Sequence, residues 1–424
     1  MKTLDATVFI GYDNLAAFTV VGQGALSAEN GALYMTEGAD KYLFRLPPAY
    51  AQSELTVSGV AGVSANAVNN VGGITKITVE NVKKLSDGCF ADLPSLETVV
   101  LSGVEEYGTG IFENDAALTD VTLPDGLTVV PEAMFKGCTA LTEFDFSKIT
   151  EVQNSAFYKT GIAAAIMPNL TALGSSAFNS CTNLTEVDLG KVTELGTNIF
   201  QSCTSLTAID LTGITSIGAN VFSGCSKLSD VKWGAFTDIP ASAFKGTAVT
   251  SVNLPSVETV GNSAFANCKS LTAVSLPNAT KLDTNAFQNC DVLATVSVPK
   301  VAELGTNVFQ NNKALKAIDL PSTVTEITGY MFGGCVALES FTVPASVTTI
   351  AANAFKGCTA LKTLVLEGDA VKTLDDTNAF TSTPFKKDAD GDAKIVVKAE
   401  LLEDYKIAKN WVDYAAYFQA AAAE

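Results

Sequence analysis

Phenylalanine recurs along this chain at nearly constant spacing, and this recurrence constrains the fold more than any other feature. Successive members of the series lie 21 to 25 residues apart, most often 22. Val68 takes the same place one step earlier, so about fifteen units occupy residues 58 to 385. A period of this length is typical of solenoids, in which each unit packs only against its neighbours. The series consists of Phe90, Phe112, Phe135, Phe157, Phe178, Phe200, Phe222, Phe244, Phe265, Phe287, Phe309, Phe332, Phe355 and Phe380.

Other positions, counted from the phenylalanine of each unit, are equally regular. Around Phe222, position −5 is Ile217, position +3 is Cys225, position +6 is Leu228 and position +9 is Val231. Positions +9 and +11 are apolar and alternate with polar neighbours, which predicts a short strand with one buried face. Because one unit cannot bury all of these side chains alone, we expect stacked units to share a core and to form a parallel sheet.

The residues just before each phenylalanine predict the structure opposite this sheet. A glycine often stands at position −4, where we expect it to open a tight turn. Serine or asparagine often stands at position −2, as at the N-cap of a helix, and predicts a single helical turn that contains the phenylalanine. The glycines are Gly108, Gly174, Gly196, Gly218, Gly261 and Gly305, and the expected caps are Ser176, Asn198, Asn220, Ser263, Asn285 and Asn307.

This frame resembles the BspA-like, or treponemal-type, leucine-rich repeat. The signature stands here as Leu282, Ala286-Phe287, Cys290, Leu293 and Val298-Pro299, and it recurs over roughly residues 58 to 385. The resemblance and the periodicity together predict an α/β repeat fold. We expect a right-handed leucine-rich-repeat solenoid with a parallel sheet on one face, short helical turns on the other, and a cap at each end.

Both ends of the chain depart from the repeat and are interpreted as caps. Residues 1–57 are predicted to form a degenerate N-terminal cap with a hairpin insert, residues 58–385 the array, and residues 386–424 a C-terminal strand-helix cap. In the N-terminal cap we expect a strand at Phe18–Val20 and a hairpin from Asn30 to Pro47 with its turn at 36–40. In the C-terminal cap we expect a strand at Ile395–Val397, a helix at 399–408 and a frayed tail at 419–424. A final aromatic layer there is expected to consist of Trp411, Tyr414, Tyr417 and Phe418.

Composition excludes several classes of function. The chain has no histidine and one arginine, Arg45, so that no histidine-based triad or metal site is available. A net charge of −18 disfavours nucleic acid and anionic membranes as partners. No apolar run reaches the roughly 18 residues that a membrane span needs. We therefore expect a protein that is not an enzyme, has no cofactor or metal, and does not insert into membranes.

Two patterns that suggest ion or disulfide chemistry have simpler explanations. Eight of nine cysteines stand at position +3, a spacing that fits neither a Cys-x-x-Cys metal site nor a disulfide framework, and we expect buried, reduced thiols. The acidic run Asp388–Asp392 resembles a calcium loop, but the sixth and twelfth places are Ala393 and Ala399 rather than glycine and glutamate. A solvated turn is the better interpretation of this run.

The outward-facing positions +8 and +10 form the most informative surface, which we call the strand face. Its second half is rich in hydroxyl and amide side chains, as at Ser251, Asn253 and Thr295. Its first half is acidic, which fits either a docking surface for a basic partner or glycan, or simple solubility. The candidate ligand-binding residues are Asp120, Glu143, Asp145, Glu186, Asp188, Asp210 and Asp230.

Function is predicted mainly by the resemblance. Proteins of this family are typically bacterial cell-surface adhesins, which implies a secreted or surface-displayed, non-catalytic binding module. We expect a monomer that binds a protein or a glycan, with the host extracellular matrix as one source. Because Asp5 interrupts the start, where a signal peptide would be apolar, either the protein is cytosolic or a leader has been removed. The resemblance favours a leader before Met1 in the natural protein. The alternative is a structural spacer on the cell surface without a ligand of its own.

Overall fold

The computed structural model describes residue 9, residues 12–385 and residues 392–422. These residues divide between two compact units, Met1–Thr207 and Ala208–Glu424. Within each unit, consecutive repeats stack so that equivalent positions of neighbouring repeats lie side by side. The expected leucine-rich-repeat solenoid fold is confirmed, and its core lies between two series of short parallel strands and a series of turns.

The first series of strands is the one that the apolar alternation predicts at position +9. Its members pair in parallel with the register shifted by one repeat, so that Val252 lies opposite Val274 and Val274 opposite Val296. The strands in the repeats are Glu54–Ser58, Lys76–Glu80, Thr98–Ser102, Asp120–Thr122, Ala164–Ile166, Glu186–Asp188, Ala208–Asp210, Asp230–Lys232, Ser251–Asn253, Ala273–Ser275, Thr295–Ser297, Ser340–Val343 and Thr363–Leu366.

A second series of two-residue strands surrounds position −5 and was not expected from the sequence. Each contributes one buried aliphatic side chain and one outward side chain, as in Lys281–Leu282. The members are Gly62–Val63, Lys84–Leu85, Glu106–Tyr107, Val129–Val130, Glu151–Val152, Ala172–Leu173, Glu194–Leu195, Ser216–Ile217, Asp238–Ile239, Thr259–Val260, Lys281–Leu282, Glu303–Leu304, Glu326–Ile327, Thr349–Ile350 and Thr373–Leu374.

The turns that contain the phenylalanines correct the capping interpretation. Ser176 and Ser180, at positions −2 and +2, have φ angles of 57° and 62°, whereas an N-cap residue has extended backbone. The Ala177 N–H donates to Gly174 O within the repeat, while the Phe178 N–H donates to the next repeat. These are consecutive tight turns whose left-handed positions favour asparagine and glycine. Among the described repeats only Thr377–Phe380 is helical, as one 3-10 turn.

Position −4 needs glycine for a different reason from the one expected. The backbone there is not left-handed, but it lies directly against the preceding repeat. A Cβ atom added to Gly305 would stand 2.3 Å from the backbone nitrogen of Thr284, and one added to Gly174 would stand 2.5 Å from that of Asn154. The close approach of two backbones therefore selects glycine at this position.

The phenylalanines form a continuous stack of rings inside each unit. The centroids of Phe265 and Phe287 lie 5.4 Å apart with the rings nearly parallel, and Phe287 and Phe309 are 6.0 Å apart. These side chains are fully buried. The described cysteines are likewise buried and reduced, as expected. The Sγ–H of Cys290 donates to the carbonyl oxygen of Phe265 in the repeat before it, at 3.2 Å.

At the N-terminal end, the predicted hairpin is present. Ala32–Glu37 and Asp40–Arg45 pair antiparallel, and Leu26–Glu29 adds a third antiparallel strand. Asp40–Arg45 then pairs in parallel with Gly62–Val63 and so joins the hairpin to the second series of strands. The expected strand at Phe18–Val20 is wrong, because this segment makes no sheet pairing.

At the C-terminal end, the predicted strand and helix are also present. They are followed by buried aromatic residues, and the ring of Tyr414 lies 5.3 Å from that of Phe380. The tail does not fray where expected, because its first residues pair in parallel with the preceding strand. The elements are the strand Lys394–Val397, the 3-10 helix Ala399–Leu401, the α-helix Leu402–Ile407, the 3-10 helix Trp411–Tyr417 and the strand Phe418–Ala420.

Candidate binding site on the strand face

The seven acidic residues predicted to bind a ligand are all exposed, as the strand alternation requires. Five belong to the first unit and two, Asp210 and Asp230, to the second. They do not form one uniform surface, because their immediate surroundings differ. Glu143 and Asp145 lie in a segment that forms no strand, whereas the other five lie on strands of the first series.

The aspartates at position +10 have a structural task that the sequence pattern did not reveal. Asp145 accepts a hydrogen bond from the backbone N–H of Ser147, and Asp188 accepts one from Gly190, both at 2.9 Å. Each hydrogen bond closes an Asx turn, which begins the loop that follows these positions of the strand face. The hydroxyl and the backbone N–H of Ser147 also lower the pKa of Asp145, which is therefore ionised at neutral pH.

Asp210 is neutralised by a cation that the sequence interpretation overlooked. The Nζ atom of Lys232, which stands at position +10 of the next repeat, lies 2.9 Å from Oδ2 of Asp210. Hydrogen bonds from Lys232 and Thr212 hold the pKa of Asp210 at about 2. The acidic character of the strand face in the second unit is therefore partly cancelled by an ion pair.

The carboxylates at position +8 are different, because they have no such partner. Asp120, Glu143, Glu186 and Asp230 make no ion pair within 4.0 Å with any residue in the described ranges. They project from a surface without a structural task of their own. These four side chains are the part of the predicted set that is available to an external cation.

The first series of strands is interrupted inside the first unit. Asp120–Thr122 pairs only with the strand before it, Ala164–Ile166 pairs only with the strand after it, and residues 142–146 between them form no strand. In this repeat both inward positions are phenylalanine. The rings of Phe144 and Phe146 lie 4.9 and 5.2 Å from that of Phe157, and they fill a layer that aliphatic side chains fill in most repeats.

Two concavities flank this interruption. One of about 510 Å³ is lined by Glu143, Phe144, Asp145, Phe146, Ala164, Ile166 and Pro168, among others. The second, of about 250 Å³, lies toward the preceding repeat and includes Pro124, Asp125, Ile149 and Lys148. Phe144 and Asp145 line both, so the two concavities form one acidic and apolar region, which we call the interruption groove.

A third concavity of about 550 Å³ lies along the second series of strands in the same region. Its lining includes Glu105, Tyr107 and Pro131, and it coincides with the missing pairing between Glu106–Tyr107 and Val129–Val130. The repeat from Phe112 to Phe135 is one residue longer than the usual 22. The extra residue does not by itself explain the opening, because Glu326–Ile327 pairs with Thr349–Ile350 across another 23-residue repeat.

Sequence reasoning missed the apolar part of the interruption groove. Ala164 and Ile166 take the outward places of a repeat that is only 21 residues long, and Ile166 is 41% exposed. They lie opposite Glu186 and Asp188 in the parallel pairing. The signal that could have found them is the missing residue itself, since it shifts the outward side chains from positions +8 and +10 to +7 and +9.

Other predicted features bear on the site only indirectly. No helix in the described part of the chain is long and apolar enough to cross a membrane. Within the same residues, no group of three acidic or cysteine side chains could hold a metal ion. The acidic run Asp388–Asp392 lies outside the described residues except for Asp392.

The stacked repeats, the two series of short parallel strands and the buried phenylalanine turns define a leucine-rich-repeat solenoid. The family model of the BspA type leucine rich repeat region matches residues 61–185, 150–256 and 237–362. These matches cover most of the chain, which therefore belongs to the BspA-type leucine-rich-repeat family. No curated protein matches the sequence significantly.

Solved structures support the fold. A leucine-rich repeat protein from Bacteroides ovatus is 20% identical over 84% of this chain and 98% of its own, with a TM-score of 0.58. A leucine rich cell surface protein from Faecalibacterium prausnitzii is 22% identical over 82% of this chain and 96% of its own, with a TM-score of 0.52. Similarity at this level of identity extends to the fold alone.

Proposed function

We propose that this protein is a non-catalytic binding module, secreted or displayed on a bacterial surface, that engages a protein or glycan through its strand face. The observation that carries the proposal is the set of exposed position +8 carboxylates without ion-pair partners in the described chain. Exposed carboxylates without ion-pair partners, such as Asp120, Glu143 and Glu186 of the first unit, supply long-range attraction to a cationic partner. The family assignment and the printed name of the F. prausnitzii relative, a cell surface protein, support the location.

A binding screen with matched variants tests the proposal. The protein is applied to an array of extracellular-matrix proteins and glycans, beside the variant Asp120→Lys/Glu186→Lys, whose substituted residues have no turn to maintain. We expect at least one ligand whose binding to the variant is strongly reduced, because two unpaired charges are reversed. A circular dichroism melt of both proteins checks that the variant is folded.

The alternative is a spacer that presents another element and has no ligand. A screen without any ligand, or ligands that bind the variant as well as the unaltered protein, would contradict the proposal and favour the spacer. Charge reversal at Asp145 and Asp188 is less informative, because these side chains also accept the hydrogen bonds that close their turns.

A further inference from the structure

The interruption groove combines three properties. It is concave, its floor is apolar, and its rim carries two carboxylates. Small-molecule and peptide sites in proteins share this combination of an apolar floor with a few polar groups, and the volume of about 510 Å³ lies in their range.

The charge at the groove favours a cation. Glu143 and Asp145 line the larger concavity, and its lining includes no lysine or arginine. The cation at the smaller concavity, Lys148, is already paired, since its Nζ atom lies 2.7 Å from Oδ1 of Asp125. Lys148 also attracts Asp145 at longer range, but neither Glu143 nor Asp145 forms an ion pair within 4.0 Å with a described lysine. A positively charged side chain placed here therefore meets two carboxylates without a direct ion-pair partner.

The apolar floor favours an aliphatic or aromatic side chain beside that cation. Phe144 is half-buried between the two concavities, and Ile166 is one of few large apolar side chains exposed in the described chain. Covering them with a partner removes apolar surface from water. The Phe144 ring also attracts an ammonium or guanidinium group that lies over its face.

The backbone around the groove favours an extended polypeptide. Residues 143–145 lie between the strands Asp120–Thr122 and Ala164–Ile166 and make no backbone hydrogen bond to another described residue. Their N–H and C=O groups can therefore hydrogen-bond an extended segment, while alternate side chains of that segment reach the groove. An extended segment places basic and apolar side chains in alternation, which matches a charged rim above an apolar floor.

We propose that the interruption groove binds an extended peptide segment of a partner protein in which lysine or arginine alternates with large apolar residues. This inference rests on the proposed function and specifies the partner. Glu143 and Asp145 would bind the cationic side chains, and Phe144 and Ile166 would contact the apolar ones. A glycan has cationic groups rarely and no alternating apolar side chains, so it fits this groove less well.

The test uses a fluorescein-labelled hexapeptide that alternates lysine with leucine, with binding to the full chain followed by fluorescence anisotropy. One comparison peptide replaces lysine by glutamate, and another replaces leucine by serine. We expect the lysine-leucine peptide to bind best, the lysine-serine peptide to bind more weakly, and the glutamate-leucine peptide not to bind. Added salt should weaken binding because the charge pairs are exposed.

Two groups of variants locate the site. Glu143→Gln/Asp145→Asn removes both charges but keeps an acceptor for the Ser147 turn, and we expect affinity to fall by about tenfold, as for the loss of two exposed ion pairs. Ile166→Ser should weaken binding of the lysine-leucine peptide but not that of the lysine-serine peptide. The matched control, Asp319→Asn/Glu339→Gln, removes two exposed charges of the second unit that lie outside the candidate set, and it should leave affinity nearly unchanged.

The outcomes separate this inference from the proposed function. Equal losses in the groove variant and the control variant would mean non-specific attraction to an acidic protein, and would overturn the groove assignment. A ligand found on the array that binds independently of Glu143 and Asp145 would preserve the proposed function while contradicting the groove. Groove-dependent peptide binding without any array ligand would support the groove and contradict the matrix or glycan partner.

Discussion

The backbone N–H of Leu93 donates a 2.8 Å hydrogen bond to Oδ1 of Asp115, a carboxyl group that is fully buried at position +3 of its repeat. Most other repeats place cysteine or threonine at this position. The second carboxyl oxygen, Oδ2, has no hydrogen-bond partner within the described residues. Burial raises the pKa of Asp115 to about 8, against the smaller opposing effect of the Leu93 N–H.

The burial of the Asp115 carboxyl group predicts that the stability of the protein falls as pH rises. Between the ordinary pKa of 3.8 and the folded pKa of about 8, the unfolded chain has lost a proton that the folded chain keeps, so folding becomes less favourable with each pH unit. One pKa unit corresponds to about 1.4 kcal/mol, and we expect the contribution of Asp115 to fall by a few kcal/mol across this window. Urea denaturation midpoints between pH 4 and pH 9 measure the effect.

The residues at position +3 of two repeats, Asp115 and Asn312, provide a matched pair of variants. Asn312 occupies the same position in another repeat, and its Oδ1 accepts from the Cys290 N–H at 3.0 Å. Asp115→Asn should therefore fold, gain stability at pH 8 and lose the pH dependence, whereas Asn312→Asp should introduce it. An Asp115→Asn protein with an unchanged pH profile would show that this carboxyl group does not titrate as described.

The cysteines at position +3 should behave as structural hydrogen-bond donors. Cys290 donates to the Phe265 carbonyl, and burial raises the pKa of its thiol well above the ordinary value. A thiol that is buried and protonated reacts slowly. We expect no modification of the folded protein by a thiol reagent, and modification of all nine cysteines in denaturant, as measured by intact mass. Fewer than nine labels in denaturant would indicate disulfides.

Replacement of one of these cysteines separates the hydrogen bond from the volume of the side chain. Cys290→Ser keeps a donor to the Phe265 carbonyl, whereas Cys290→Val keeps an apolar side chain and leaves that carbonyl with only the hydrogen bond from the Cys268 N–H. We expect the valine variant to be less stable than the serine variant by about 1 kcal/mol, the usual net contribution of one hydrogen bond. Chemical denaturation of the two variants makes the comparison, and a valine variant of unchanged stability would contradict it.

The phenylalanine stack should dominate the stability of the array. Phe287 is fully buried between the rings of Phe265 and Phe309. Truncation in Phe287→Ala leaves a cavity and should reduce the free energy of unfolding by about 3–5 kcal/mol, while Phe287→Leu should cost much less. Hydrogen exchange should show the largest loss of protection in the two adjacent repeats, since units are coupled to their nearest neighbours.

Glycine at position −4 should be irreplaceable where neighbouring backbones are close. Gly305→Ala would place Cβ 2.3 Å from the backbone nitrogen of Thr284, and the two repeats would have to separate. At Gly329, which stands at position −3 of the next repeat, the nearest atom to such a Cβ is 3.5 Å away, which is an ordinary contact. We expect Gly305→Ala to lower the melting temperature strongly and Gly329→Ala to have little effect. Equal effects would contradict the steric explanation.

Lys372 should hold the C-terminal end together. Its buried Nζ atom donates to the carbonyl oxygens of Pro344 and Val347 at 3.0 and 2.7 Å, and its own carbonyl accepts from Trp411 Nε1. Lys372→Met keeps the length of the side chain but leaves the Val347 carbonyl unsatisfied, while the Pro344 carbonyl keeps its hydrogen bond from the Val347 N–H. We expect faster hydrogen exchange over 402–418 and a loss of roughly 2–3 kcal/mol. Lys362→Met, at an exposed lysine in the same unit, is the control.

The period and the identity of the buried positions could be derived from the sequence because burial selects residue type at each position. Phe287, Cys290 and Leu293 are all fully buried, as their recurrence predicts. The second series of strands could not be foreseen, since two residues around position −5 are too short for a recognisable alternation. The capping interpretation failed because asparagine and serine favour both helix N-caps and left-handed turn positions.

The candidate site shows the same division. The exposure of Glu143, Asp145 and Glu186 follows from alternation along a strand, which is a local property of the sequence. The loss of sheet pairing at residues 142–146 does not, because it depends on how the Phe144 and Phe146 rings pack against Phe157 in another repeat. The concavity at that interruption is therefore visible only when neighbouring repeats are placed together.

The sequence by itself determined that this chain is a leucine-rich-repeat solenoid, since each repeat has the same pattern of apolar residues at the positions that become buried. Only the tertiary structure decided which carboxylates are paired, because Asp210 lies 2.9 Å from Lys232 of the next repeat, while Glu143 forms no ion pair with any described residue. It also decided where the regular surface opens. Repeat-to-repeat packing sets both, and this packing depends on contacts about 22 residues apart that no single repeat contains.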